Sequence, residues 1–141
     1  MLYDETCRYC THGLDIDQLM IPVRNLQVST LYLFKEQTYP GRCLLAYCEH
    51  KKEFSELTEA EAQAFSLDLR RACSAVKAFA KPDKLNLGVM GDKQPHLHVH
   101  IVPKHKDGPE WGKTFVMNPK AVYLTDQEYE AAIQEINRYL D

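Results

Sequence analysis

The sequence lacks any hydrophobic run of the roughly 18 to 20 residues that a membrane-spanning helix needs. Its first ten residues, MLYDETCRYC, are charged and lack the apolar core of a secretory signal, so we expect a cytoplasmic protein. It also lacks an excess of either charge, since 17 basic and 20 acidic residues give a net charge of -3. That balance gives no general reason for binding a nucleic acid polymer or an anionic membrane. A phosphate-bearing small molecule needs only a few local donors and is not excluded.

The chain contains no internal repeat, no low-complexity segment and no linker. Its 141 residues suit one domain with a real core, so we predict a single domain over residues 1–141. The cysteines number five, and an odd count in a cytoplasmic protein argues against a disulfide framework. They are therefore expected to be metal ligands, reactive thiols or packing residues.

Hydrophobic patterning predicts four strands. Alternating residues favour strands near 26–34 and 42–48, joined as a hairpin by the turn sequence TYPGR. A second strand pair is predicted near 84–90 and 96–102, joined through GDKQP. A long polar loop follows Pro103, and loops of this length usually have a role in binding or are simply mobile.

Two helices are predicted from their start signals and apolar stripes. Thr58 with Glu61, and Thr125 with Glu128, each fit a capping box at a helix start. The first helix should end at KPDK, because proline cannot continue it. Its apolar stripe, at spacings of four and three, is Phe65, Leu69, Ala72, Val76 and Phe79. Together these elements predict an α+β fold, with a long central helix packed on a mostly antiparallel sheet and a C-terminal helix.

Half of the six histidines stand on alternate residues of the stretch QPHLHVHIVPK. On a strand, His96, His98 and His100 would share one face, while the apolar residues between them face the core. Adjacent imidazoles would lie about 6.6 Å apart along the backbone, close enough to converge on one ion or one phosphate. The alternatives are hydrogen-bonding histidines on a solvated face, a zinc site, and a histidine that attacks phosphorus.

The sequence CRYC provides half of a tetrahedral zinc site in Cys7 and Cys10. The same spacing is also compatible with a redox pair or with two packed cysteines. His50, just after a predicted strand, is a candidate third ligand, and one histidine of the alternating row could be the fourth. His12 and Cys48 compete for these places.

The motif HLHVHIV, read as His-φ-His-φ-His-φ-φ with φ apolar, resembles that of the histidine triad (HIT) superfamily of nucleotide hydrolases and transferases. The resemblance extends over YPGRCLLAYCEH, the long helix and KLNLGVMGDKQPHLHVHIVPK. It implies that His98 is the nucleophile that attacks the α-phosphorus of a nucleotide. It also implies that His100 contacts phosphate oxygens, and that the His96 carbonyl orients the His98 ring.

Part of the superfamily carries a structural zinc bound by a CxxC pair, a later histidine and the first histidine of the motif. The resemblance therefore implies that zinc is bound by Cys7, Cys10, His50 and His96. A histidine whose lone pair is given to zinc cannot attack phosphorus, which leaves His98 free. Four protein ligands also leave no open position for water, so the zinc would be structural. The remaining cysteines, Cys43, Cys48 and Cys73, are expected in or near the core.

The resemblance also suggests nucleotide contacts, and one position departs from the family. Many members have glutamine four residues before the first histidine, whereas this chain has Asp92, whose carboxylate would repel phosphate. Gln94 and Lys93 are expected to replace that contact, unless Asp92 turns away. Three further predicted nucleotide contacts are Asn86, a hairpin residue (Gln37 or Glu36) that would bind ribose, and Trp111 in DGPEWG.

The resemblance implies a nucleotide hydrolase that acts on nucleoside phosphoramidates or dinucleoside polyphosphates and releases a nucleoside monophosphate. Its route would be a nucleotidyl-histidine intermediate, and no catalytic metal is needed. The alternatives are a nucleotidyltransferase, which differs only in the acceptor, and a zinc-stabilised nucleotide-binding module with little turnover. The resemblance further implies a homodimer.

Overall fold

The computed structural model describes residues 2–141, which form one five-stranded sheet and four α-helices. The sheet order is β1-β2-β3-β5-β4, and every neighbouring pair is antiparallel. Its strands are β1 (Met20–Asn25), β2 (Ser29–Phe34), β3 (Cys43–Tyr47), β4 (Lys84–Gly88) and β5 (His98–Lys104). The helices are α1 (Arg8–Thr11), α2 (Leu14–Leu19), α3 (Glu59–Ala80) and α4 (Asp126–Leu140). The predicted α+β fold is confirmed.

The two long helices cover one face of the sheet and bury the larger core. Both predicted capping boxes are present, with the Thr58 and Thr125 side chains accepting from the backbone N–H groups of Glu61 and Glu128. Alternate residues of the histidine segment enter this core, as the strand period requires. They are Leu97, Val99 and Ile101, packed with Phe65, Ala72 and Val76 of α3.

The short helices α1 and α2 cover the opposite face, where the histidines lie. A second, smaller core forms there between these helices and β1, β2 and β3. Tyr9 and Ile16 supply the helix side, and Phe34, Leu44 and Ala46 supply the sheet side. The N-terminal segment is therefore part of the packed structure over the histidine face.

One strand boundary and one whole strand differ from the sequence prediction at the start of the sheet. The predicted strand 26–34 begins only at Ser29, and the edge strand β1 was not predicted. Pro22 interrupts the hydrophobic pattern of β1, and the pairing of β1 with β2 shifts register between Pro22 and Arg24. Proline is tolerated at an edge strand or bulge because its missing N–H has no ladder partner there.

The second strand pair is also displaced from its predicted bounds. β4 ends at Gly88, and β5 runs from His98 to Lys104, beyond the Pro103 expected to follow it. Pairing between β3 and β5 ends at Ile101, so Pro103 lies where β5 has only β4 beside it. Within residues 2–141, none of the helices is long and apolar enough to span a membrane.

Candidate active site and metal cluster

The three histidines of the motif are buried beneath the N-terminal helices. Only 1% of His96 and 5% of His98 and His100 is exposed, so the solvated-face interpretation does not fit. His98 and His100 lie opposite Ala46 and Leu44 of β3, whose side chains share their face of the sheet. His96 lies two residues before the start of β5. The three rings consequently form one row with different surroundings along it.

Four potential metal ligands converge at the His96 end of the row. Cys7, Cys10, His50 and His96 each offer one donor atom, and these atoms lie within 4.8 Å of one another. The Cys7 Sγ lies 3.3 Å from His96 Nδ1, and Cys10 Sγ lies 3.5 Å from His50 Nδ1. The two imidazole Nδ1 atoms are 3.4 Å apart. We refer to these four residues as the Cys/His cluster.

The spacing and the tautomers of the Cys/His cluster fit a tetrahedral zinc ion. Donors at zinc bond lengths of about 2.0 to 2.3 Å would lie about 3.3 to 3.8 Å apart. His96 Nε2–H donates to the Tyr47 carbonyl at 2.8 Å, which leaves Nδ1 with its lone pair toward the cysteines. The competitors lie elsewhere, because His12 Nδ1 is near the Tyr32 hydroxyl and Cys48 is exposed. The cluster can therefore hold a metal.

The middle histidine has the opposite hydrogen-bond arrangement. His98 Nδ1–H donates to the His96 carbonyl at 2.6 Å, so its lone pair is on Nε2. The Tyr9 ring stacks on His98 with centroids 5.0 Å apart and also contacts His96. Burial lowers the pKa of His98 despite the opposing hydrogen bond, and the charge of Arg8 lowers it further. The ring is consequently neutral near pH 7 and keeps the lone pair on Nε2.

The third histidine has an arginine as its partner. Arg42 follows the Gly41 turn and is fully buried, with its Nη2 3.2 Å from His100 Nδ1. Phe34 and Phe115 also contact the His100 ring. Burial, together with the charges of Arg42 and His98, lowers the pKa of His100 to about 3.

His98 and His100 line an open cavity of about 580 Å³. Its apolar wall comes from α1, α2 and the neighbouring strands, and it includes Tyr9, Leu19, Met20, Phe34 and Leu44. Polar groups on its rim include Arg8, Asp92, Lys93, Gln94 and Asn118. The cavity thus joins an apolar wall to donors beside two histidines, an arrangement suited to a molecule with a base and a phosphate.

The other predicted nucleotide contacts lie outside this cavity. Asn86 and Trp111 line a separate depression of about 270 Å³, where Asn86 accepts a hydrogen bond from Lys104 Nζ. The Gln37 side chain is buried in the β2–β3 turn, donating to the Phe34 carbonyl and accepting from Gly41 N–H. Glu36 accepts from the backbone N–H groups of Thr38, Ala121 and Val122. Nucleotide contact by Asn86, Gln37 and Trp111 therefore stays a prediction.

Three site residues were not identified from the sequence. Arg8 and Tyr9 lie between the two cysteines of CRYC. The predicted zinc site joins those cysteines to His96, and this would have indicated that Arg8 and Tyr9 lie close to the histidines. Arg42 carried no such signal, because hydrophobic patterning does not show that β3 pairs with β5. The order of strands in the sheet is what brings Arg42 to His100.

The chain is similar in sequence and in fold to known proteins. The HIT domain family matches residues 25–107. An uncharacterized HIT-like protein of Mycoplasma genitalium is 32% identical over 77 residues, which are 51% of this chain and 55% of that protein. This chain therefore spans about half the length of that relative.

Solved structures share the fold at low sequence identity. A histidine triad protein from Bradyrhizobium japonicum superposes with a TM-score of 0.83 at 23% identity, covering 92% of this chain and 96% of that one. The diadenosine triphosphate hydrolase of Plasmodium falciparum gives a TM-score of 0.59 at 16% identity, covering 84% and 73%. The family match includes all three histidines of the motif, and this chain belongs to the histidine triad (HIT) superfamily.

Proposed function

We propose that this protein is a nucleotide hydrolase that forms a nucleotidyl-histidine intermediate on His98. The observation that carries the proposal is the 2.6 Å hydrogen bond from His98 Nδ1–H to the His96 carbonyl. This bond fixes the tautomer whose Nε2 lone pair can attack, on a ring that lines the cavity. The substrates would be dinucleoside polyphosphates or nucleoside phosphoramidates.

The reaction would proceed by two displacements at the α-phosphorus. In the first, a bond forms between His98 Nε2 and phosphorus while the bond to the leaving group breaks. The ring then carries a positive charge, which the His96 carbonyl stabilises through Nδ1–H. In the second, water attacks phosphorus, the ring recovers its electron pair, and the water proton passes to solvent as the nucleoside monophosphate leaves. Each step is easier than one direct attack by water.

The cavity supports a nucleotide as the bound molecule. Its apolar wall, including Tyr9 and Phe34, suits a flat base, and Arg8 and Lys93 would attract phosphate oxygens. Gln94 offers an amide donor on the same rim, while the nearby Asp92 is exposed. The similarity in fold to a diadenosine triphosphate hydrolase is consistent with a polyphosphate substrate.

We also propose that the Cys/His cluster binds a structural zinc ion. All four ligands are side chains of this chain, so a bound ion would have no open position for catalysis. His96 and His98 are two residues apart, and an ion on His96 would fix the carbonyl that orients His98. Metal analysis after gentle purification should find about one zinc per chain, and a chelator should lower the melting temperature.

The first experiment is mass spectrometry of the intact protein after brief mixing with diadenosine tetraphosphate or adenosine phosphoramidate. The quench must avoid acid, because a phosphohistidine bond is acid-labile. We expect an adenylate adduct on the native chain and none on His98→Ala, which should bind nucleotide but lose at least 1,000-fold in turnover. His105→Ala is the matched control, since His105 lies outside the row and outside the cavity.

Each result has a definite meaning for the proposal. Persistent hydrolysis by His98→Ala would refute the nucleophile assignment. Nucleotide binding without an adduct or released adenylate, with either substrate, would favour a binding module. An adduct that transfers adenylate to an added phosphate faster than to water would favour a nucleotidyltransferase.

We further propose one domain over the whole chain and a homodimer. The C-terminal helix α4 packs on α3 and β1, which supports a single folding unit. Strand β4 is a sheet edge, and Leu87, Val89 and Met90 at this edge are exposed. Light scattering should give twice the chain mass, and Leu87→Asp should lower it if this edge forms the interface.

A further inference from the structure

Arg42 is a buried cation that the proposed reaction does not yet use. The residue has no measurable exposure, and within residues 2–141 no carboxylate lies within 4 Å of its guanidinium. Burial lowers its pKa to about 10, so it remains charged at neutral pH. Burying a charge with no carboxylate in direct contact is unfavourable, and the charge of Glu36 opposes the effect of burial only in part.

The contacts of the guanidinium aim it at His100. Nη2 donates to His100 Nδ1 at 3.2 Å and to the Met117 carbonyl at 2.9 Å, and Nη1 donates to the Val116 carbonyl at 3.3 Å. The group stacks over the Phe34 ring at 4.1 Å and lies 5.2 Å from the Phe115 centroid. Because both aromatic rings also contact His100, the arginine and the imidazole are held in one packed unit.

This contact determines which nitrogen of His100 carries the hydrogen. A guanidinium can only donate, so His100 Nδ1 must accept, and the single ring hydrogen is on Nε2. Protonation of both nitrogens would remove the acceptor and place two cations 3.2 Å apart. The other titratable group facing the ring is His98, whose charged form would also oppose protonation of His100.

We propose that Arg42 is a positioning residue that holds His100 as a neutral Nε2–H donor, which makes phosphoanhydrides such as dinucleoside polyphosphates the preferred substrates. The inference depends on the proposed reaction at His98 and deepens it. In this state His100 can donate a hydrogen bond to a phosphate oxygen. It could release its only proton only by becoming an imidazolate.

The two substrate classes differ in whether the leaving group requires that proton. In a dinucleoside polyphosphate, the bond from phosphorus to the bridging oxygen breaks, and the second nucleotide leaves as a phosphate anion that needs no proton. In a phosphoramidate, the bond from phosphorus to nitrogen breaks, and the departing amine must gain a proton. A neutral Nε2–H donor therefore assists the first departure but cannot supply the proton that the second requires, which must then come from solvent.

The tautomer can be measured without any substrate. The metal-loaded protein with ¹⁵N-labelled histidine should give a His100 spectrum with an unprotonated Nδ1 and a protonated Nε2 from pH 8 to pH 5. His100→Asn assigns the signals. A protonated Nδ1, or a His100 ring that titrates within this range, would overturn the proposal.

Changing Arg42 tests its role as the cause. Arg42→Met replaces the guanidinium with an apolar side chain. In this variant the His100 signals should titrate between pH 8 and pH 5 or divide between the two tautomers. Arg42→Lys keeps the charge and should lie between that variant and the native chain. Arg138→Met removes an exposed guanidinium as a control. Unchanged His100 signals in Arg42→Met would contradict the role, and the native spectrum decides the tautomer even if that variant does not fold.

The substrate preference is measured as the ratio of kcat/KM for diadenosine tetraphosphate to that for adenosine phosphoramidate. We expect this ratio to be at least ten in the native chain. In Arg42→Met the ratio should fall at least tenfold, with phosphoramidate turnover rising as the pH falls toward 5.5. Faster cleavage of the phosphoramidate by the native chain would overturn the substrate preference. If an adduct still formed on His98, the proposed hydrolase would stand. Absence of the adduct with both substrates would instead reject the proposed function.

Discussion

The two ends of the histidine row use the same atom in different ways. At one end, His96 Nδ1 faces the sulfur atoms of Cys7 and Cys10, and at the other, His100 Nδ1 faces the Arg42 guanidinium. Both rings are buried, and both carry their hydrogen on Nε2. His96 gives that hydrogen to the Tyr47 carbonyl, whereas His100 lines the cavity. The proposed zinc would commit one end to structure, whereas the other end is open to a molecule bound in the cavity.

His98, between them, shows what the difference teaches. Its Nδ1–H donates to the His96 carbonyl, so its hydrogen is on Nδ1 and its lone pair on Nε2. In His96 and His100 the hydrogen is on Nε2 and the lone pair on Nδ1. Three identical side chains with identical strand spacing thereby acquire three capacities. The partner of Nδ1 decides each of them, and every partner except the His96 carbonyl comes from a distant part of the chain.

Removing a sulfur ligand should have the largest effect on the sulfur end. Cys7→Ser should lose the metal and lower the free energy of unfolding by more than about 3 kcal/mol, because metal binding and folding are coupled at such sites. Metal analysis and urea unfolding measure these losses. Cys48→Ser is the matched control, since Cys48 is exposed and outside the cluster. Equal effects of the two substitutions would contradict the four-ligand site.

Removing the Tyr9 ring, which contacts both His96 and His98, should lower the free energy of unfolding by a smaller amount. Tyr9→Ala deletes a buried aromatic side chain that stacks on His98 and contacts His96, and we expect the free energy of unfolding to fall by about 3 kcal/mol. Tyr9→Phe keeps the stacked ring and should retain nearly all stability and turnover. Thermal unfolding and kcat/KM of both variants make the test. A large loss in Tyr9→Phe would show that the hydroxyl, rather than the ring, matters.

Acid should destabilise the protein through His100, at the end of the histidine row that contacts Arg42. The pKa of His100 falls from 6.5 to about 3 on folding, so below pH 6.5 the unfolded chain binds a proton that the folded chain excludes. This contribution to the free energy of unfolding is complete at higher pH and declines by about 2 kcal/mol between pH 7 and pH 5. The difference between the native chain and His100→Gln in urea unfolding should follow this decline, with His105→Gln as control. A difference independent of pH would contradict the pKa shift.

The smallest effect is expected on the cavity rim, away from both ends. Lys93 is exposed beside the cavity, and Lys93→Met should raise KM about three- to tenfold with little change in kcat, because an exposed charge steers and binds phosphate weakly. Lys52→Met, another exposed lysine, should change neither constant. A lower kcat with an unchanged KM would instead assign Lys93 to the transition state.

Local signals in the sequence predicted the frame of the molecule well. The capping boxes at Thr58 and Thr125 and the alternation around His98 depend on neighbouring residues alone, and all three are present. β1 was missed because Pro22 breaks its pattern and only pairing with β2 makes it a strand. Arg42 was missed because its role depends on which strands are neighbours, and patterning along the chain does not carry that information.

The separation of Cys7 from His96 along the chain has a consequence for the order of folding. These residues are 89 positions apart, and closing a loop of that length costs about 4 kcal/mol of chain entropy beyond a constant. The hairpins of the sheet close much shorter loops, so we expect them to form first. The segment carrying Tyr9 then docks last, onto a histidine row that is already in place. Newly made chains would therefore pass through a stage in which His98, the proposed nucleophile, is in place on its strand but is not yet covered by Tyr9.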